Sequence, residues 1–332
     1  MSGQPIFETD CIMAAERLAV IEKIPRKRSR YMKPLVFHSL LLLLGSMANA
    51  SANAAESHSI LLEPSSPWTV DYADDSCRLI RQFGVEEDTV IIIFNRFEPG
   101  DAFQLTVSGE PVALKRATRP ALIRFGPTEA EQEHGFVIGI MGDGKPALVF
   151  SGQMRIAPAT ASEVQARENS VPGEYILPPI SDQRKAAVSE LSLGRPLRTP
   201  VVLKLGGMEK PFEALAACMN ELMTHWGIDV EKHENLSLRA RPDGNPGPWV
   251  NGADYPLGML ARGKEAIVHF RLSVGETGDP TACHIQQSTR PKAFDDVVCN
   301  SLMKRAKFLP ALDKDGKPIA SYYRNTVRFL IP

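Results

Sequence analysis

Between residues 68 and 156 the chain alternates apolar and polar positions in short runs. WTVDY, CRLIRQF, TVIIIFNRF, FQLTVSG, ALIRFG, GFVIGIM and ALVFSGQMRIA are rich in Val, Ile and Phe, and clusters of Gly, Pro or Asp separate them. Such runs predict consecutive strands of an antiparallel sandwich or barrel-like sheet. VIIIF is apolar at every position, which predicts a central strand covered on both faces. A proline-rich connector, VPGEYILPPISDQRK, and two further strands, VSELSLG and TPVVLKLG, lead into MEKPFEALAACMNELMTHWGID. There Phe212, Leu215, Ala216, Met219, Leu222, Met223 and Trp226 recur at helical spacing, predicting one amphipathic helix that Gly227 ends.

Residues 231–252, EKHENLSLRARPDGNPGPWVNG, are polar and rich in Gly and Pro, and predict a linker. The pattern then changes. EAIVHFRLSVGETGDPTACHIQQS places Val268, Phe270, Leu272 and Val274 on one strand face, turns at Thr277, Gly278 and Asp279, and returns through Cys283 and Ile285 as a hairpin. His269 and His284 fall between these positions, which predicts an exposed face for both. RPKAFDDVVCNSLMKRAKF reads as a helix with Pro291 near its first turn and Phe294, Val297, Val298 and Leu302 inward. A last alternating strand, ASYYRNTVRFLI, completes a two-layer ββαβ unit. The fold class is therefore α+β: a β-rich domain of unknown role over 55–230 and a small ββαβ domain over 253–332. A last strand that is tied down, with a covalent neighbour on one side only, is a candidate sheet edge.

The first 54 residues carry a different signal. A basic stretch, RKRSRYMK, precedes an apolar run from Leu35 to Leu44 and then small residues in which Ala52, Asn53 and Ala54 form an A-x-A pattern. This is the anatomy of a secretory signal peptide, with Met32 as the natural start and residues 1–31 as an upstream extension. The apolar run is about half the ~20 residues of a spanning helix, so a retained inner-membrane anchor facing the periplasm is the lesser expectation. Cleavage removes Cys11 and leaves Cys77, Cys218, Cys283 and Cys299 in an oxidising compartment. An even number there predicts two disulfides, for which three pairings are possible. Cys283 and Cys299 share one short supersecondary unit, which favours that pair and, by elimination, Cys77 with Cys218.

Composition adds exclusions. With 332 residues, 43% hydrophobic and 23% charged, the chain has material for about two globular domains. Its formal net charge is −1 and no long basic run follows residue 33, so it lacks the footprint of a nucleic-acid binder. No C-x-x-C or paired Cys/His spacing predicts a metal, and no nucleophile elbow, phosphate loop or zincin pattern predicts an enzyme or a cofactor. Asp74 with Asp75, and Asp295 with Asp296, are adjacent carboxylates of turn or helix surface, and His225 suits a helix C-terminus.

The C-terminal quarter resembles a known family. Tyr255 and Pro256, Gly263, the Val/Leu alternation, Gly278, Ser288, Asp295, Phe308, Pro310 and Ala311, the Gly316, Lys317, Pro318 run and the terminal apolar strand stand in the order and spacing of the TonB C-terminal domain. Ala266, the STRPKAFD stretch and the extra Cys283 and Cys299 depart from the family pattern, and no long Pro-rich spanning segment follows the apolar run. The resemblance implies a non-enzymatic docking module of the periplasm in TonB-dependent transport, which takes peptide segments of outer-membrane receptors or other envelope proteins by strand addition. Inner-membrane motor proteins join the expected partners if the apolar segment is retained. Tyr322, Tyr323, Arg324, Asn325 and Thr326 in the last strand are the candidate partner-binding residues. The alternatives are an edge capped by linker residues, a homodimer through that strand, and a soluble binding protein with no energy-transducing role whose first domain takes a polypeptide or glycan.

Overall fold

The computed structural model describes residues 59–331, apart from 116–119, 143, 151, 171–176 and 290. The segment read as a signal peptide lies outside them. In chain order the first half contains β1 (Ile60–Leu62), β2 (Thr69–Ala73), β3 (Ser76–Phe83), β4 (Val90–Arg96), β5 (Gln104–Ser108), β6 (Ala121–Phe125), β7 (Gln132–His134), β8 (Phe136–Met141), β9 (Lys145–Phe150), α1 (Ala161–Glu168), α2 (Asp182–Ala187), β10 (Leu191–Leu193), β11 (Val201–Leu203) and α3 (Glu209–His225). They build a six-stranded sheet in the order β2-β3-β4-β5-β9-β8 and a five-stranded sheet in the order β1-β11-β10-β6-β7. Both sheets are open, so the barrel-like expectation is corrected in favour of two sheets on a shared core. The expectation of purely antiparallel pairing is corrected at one place: β1 runs parallel to β11.

The alternation of β4 explains its place. Val90, Ile92 and Phe94 are fully buried on one face, Ile91 and Ile93 are partly buried on the other, and the strand sits between β3 and β5. Phe94 meets Phe103, Phe125 and Phe212 at ring-centroid distances of 4.8, 6.3 and 5.6 Å, so both sheets and α3 close one core. On α3 the apolar stripe is buried through Phe212, Leu215, Met219, Leu222 and Met223, with Cys218 on it and Ala216 off it. Gly227, at φ +78°, follows the helix in the left-handed conformation that glycine adopts without steric cost. Cys218 and Cys77 of β3 are paired with their sulfurs 1.98 Å apart. A closure across 141 residues stabilises by about 5 kcal/mol in the chain-entropy account.

The second half contains α4 (Val230–Glu234), β12 (Arg241–Pro242), α5 (Leu257–Leu260), β13 (Ala266–Val274), β14 (Pro280–Ser288), α6 (Ala293–Arg305), β15 (Phe308–Leu309), β16 (Ala311–Leu312), β17 (Pro318–Ile319) and β18 (Ser321–Phe329). β13 is the centre of a three-stranded sheet ordered β14-β13-β18. Its Val268, Phe270, Leu272 and Val274 pack with Phe294, Val298 and Leu302 of α6 in a second core. Cys283 of β14 and Cys299 of α6 are paired at 1.99 Å. Residues 231–252, expected as linker, contribute to this core: β12 pairs with β15, and Trp249 is buried against Phe308 at 5.0 Å.

Candidate docking site

The direction of the outer groups of β18 follows from the register of β13. Ile267 donates its N–H to Thr289 Oγ1 at 2.9 Å and accepts from Thr289 N–H at 3.1 Å, so both of its backbone groups point toward β14. Along an antiparallel strand these directions alternate, and Ile267, His269, Arg271 and Ser273 lie opposite Arg328, Thr326, Arg324 and Tyr322. The backbone groups of those four β18 residues therefore point away from β13. Thr326 agrees: its N–H donates to Asn325 Oδ1 at 2.8 Å. Among the described residues no strand pairs with that side of β18.

A cleft of about 440 Å³ runs along this edge, a size within the range of ligand sites. Tyr322, Arg324 and Thr326 project to one sheet face, and Tyr323 and Asn325 to the other, yet all five line the same cleft. A cavity that touches both faces of a strand lies at its edge. The rest of the cleft wall comprises Phe97, Glu98, Gln104, Gly152 and Gln153 from the first half of the chain, His233, Arg239 and Ala240 from the segment before the sheet, and His269 of β13 and Gln287 of β14.

The same wall explains the second face of the sheet. Arg271, 1% exposed, donates through Nη2 to Asp75 Oδ1 at 2.9 Å, and its guanidinium lies 3.8 Å from the Trp226 ring centroid. Burial lowers its pKa, and the bond to Asp75 opposes that shift. Gln286 donates to the carbonyls of Asp75 and Phe97, and Gln104 donates to Gln287. The exposed face expected for His269 and His284 is therefore corrected. Both are partly buried under the first half of the chain, and burial holds both imidazoles below their ordinary pKa. A sheet packed on α6 by one face and against the first half of the chain, through hydrogen bonds of Arg271, Gln286 and Gln287, by the other presents only its edges.

Residues 251–331 match the family model for the Gram-negative bacterial TonB protein C-terminal. These residues are a TonB C-terminal domain. The comparison with curated proteins finds no match. β18 lies inside the TonB C-terminal domain, whereas Glu98, Gln153, His233 and Arg239 lie outside it.

Each residue expected from the last strand has a distinct setting. Tyr322 is buried, stacked on His233 at 5.2 Å and edge-on to Trp226 at 6.0 Å, and burial raises its pKa. Tyr323 packs on Phe308 and accepts from Asn325 Nδ2 at 2.7 Å. Arg324 pairs with Glu98 at 2.9 Å, donates to Gln286 Oε1 at 2.6 Å and covers Phe97 at 5.2 Å. Asn325 is exposed, and Thr326 Oγ1 hydrogen-bonds His269 Nδ1 at 2.8 Å. His233 joins Ser321 Oγ at 2.9 Å; burial first, and the Arg239 charge second, depress its pKa to about 4. Sequence reading missed Phe97, Glu98, Gln153, His233 and Arg239, because they reach the strand across separations of about 85 to 230 positions that no local pattern encodes.

Proposed function

We propose that this protein is a periplasmic docking module of TonB-dependent transport, and that it takes an extended peptide of an outer-membrane receptor or another envelope protein as an added strand on β18. The observation that carries the reading is the outward set of backbone groups on Tyr322, Arg324 and Thr326, residues that line a cleft with no strand among the described residues in it. Main-chain pairing there supplies affinity, and side chains of both faces supply selection. The six cleft-lining residues of β18, Ser321 to Thr326, span about 20 Å at strand rise, enough for a peptide of about six residues. Release from the membrane after signal cleavage would make the module a binder; a retained apolar segment would let it transmit force. No helix among the described residues is long and apolar enough to cross a membrane.

Thr326→Pro tests the reading. Its N–H points into the cleft, so proline removes a group that an added strand needs and leaves the β13 ladder intact. Capture of immobilised TonB-box peptides by the full chain should fall at least about tenfold, a loss of ~1.4 kcal/mol. Undiminished capture by a folded variant contradicts strand addition. Doubling of mass with concentration that the same variant abolishes would favour the dimer instead.

A further inference from the structure

The wall facing β18 belongs to the part of the chain that the TonB C-terminal match does not cover, and its composition bears on how a peptide would be read. We infer that the part of the chain preceding the TonB C-terminal domain is half of the docking cleft: an extended segment of a partner protein lies between β18 and a wall made by Glu98 and Gln153 of the first domain and Arg239 of the segment that follows it, and these residues help to select it. The inference rests on the docking reading above and adds the residues that do the selecting.

Three observations carry it. Glu98 accepts from Gln153 Nε2 at 2.9 Å and pairs with Arg324 at 2.9 Å, so one carboxylate fixes the position of the wall relative to the strand edge. Its exposure is small, with the Glu98 and Arg324 side chains at 22% and 14%, which keeps the pair from being dissolved by solvent. Gln153 itself is exposed at the cleft, with its amide directed along the wall. Arg239 lines the far end with its Nε buried and without a hydrogen-bond partner. Its guanidinium brings a positive charge to the cleft, the same charge that helps to depress the His233 pKa, and a carbonyl or carboxylate oxygen of an incoming strand is its natural partner. The occupant is an extended polypeptide rather than a second folded domain, because a cleft of about 440 Å³ has no room for a folded domain and the outward backbone groups of β18 that line it pair with an extended chain.

The wall also predicts a dependence that an isolated edge would not have. If the peptide touched β18 alone, changes on the first domain would leave binding unaltered. With a two-walled cleft, bulk introduced at Gln153 excludes the peptide without altering β18. The test compares full-length wild type, Gln153→Trp and a control, Glu87→Trp, placed on an exposed short helix of the first domain away from the cleft, in capture of the same immobilised TonB-box peptides. Gln153→Trp should lose at least about tenfold in affinity and Glu87→Trp should bind as wild type. A photo-crosslinking residue at position 153 should join the peptide, and the same residue at position 87 should not. Wild-type affinity of Gln153→Trp together with no cross-link at 153 overturns the two-walled cleft. If wild type captures peptide and Thr326→Pro abolishes it under those results, the docking reading survives and only the wall fails. If capture is indifferent to Thr326→Pro, both fall together.

Discussion

Two residues illustrate how local chemistry fixes the domain. Gly278 closes the hairpin between β13 and β14 at φ +83°, and a Cβ built on it would stand 1.9 Å from the Phe308 carbonyl oxygen, to which no flexible side chain could yield. That carbonyl belongs to the strand that Gly278 itself helps to anchor, since Phe308 N–H donates to the Gly278 carbonyl at 2.9 Å. Gly278→Ala should therefore cost on the order of 3 kcal/mol or more, measured by denaturant unfolding, through strain and a displaced β15. His233 makes the pH argument. Its folded pKa of about 4 lies below the ordinary 6.5, so the folded protein holds it neutral where the unfolded chain binds a proton. Its stabilising contribution is complete above pH 6.5 and is lost as pH falls toward 4, by up to about 3 kcal/mol. His233→Phe, which retains a ring against Tyr322, should flatten the difference in stability between pH 7 and pH 4.5; an unchanged slope refutes the assignment.

At the scale of elements, the legible features were those set by short-range pattern. The alternation in VIIIF led to a central strand, the stripe on α3 to a buried helix, and the Val268 to Val274 face to a sheet packed on α6. The capping box of α1 was equally present in sequence, as Thr160 three residues before Glu163, yet that stretch lies outside the elements predicted from the sequence. The parallel pairing of β1 with β11 was not legible, because three-residue strands 140 positions apart leave no local trace. The Cys283–Cys299 pairing followed from sequence proximity and the Cys77–Cys218 pairing by elimination, whereas the cleft followed from neither. Its edge strand was readable, and its wall depended on how a second core folds over the sheet. The same register makes Thr326→Pro informative, because the removed N–H is outside the β13 ladder. The variant should unfold within about 2 kcal/mol of wild type while losing peptide.

On the scale of the whole molecule, the sheet of the TonB C-terminal domain is held between two cores, with Arg271 and Asp75, Arg324 and Glu98, and Trp226 with Tyr322 across the junction. That arrangement differs from a docking domain carried on a long spacer, since folded residues of the preceding chain stand beside the strand that would receive the partner. Selection and support then come from one packed unit. The measurement that tests this account most directly is residue-resolved amide hydrogen exchange of the full chain, with and without a saturating TonB-box peptide. Strand addition predicts slowed exchange at the outward amides of Tyr322, Arg324 and Thr326, with the inward amides of Tyr323 and Asn325 already protected and little changed. Unaltered exchange at these three outward amides while the peptide is bound would contradict docking on β18.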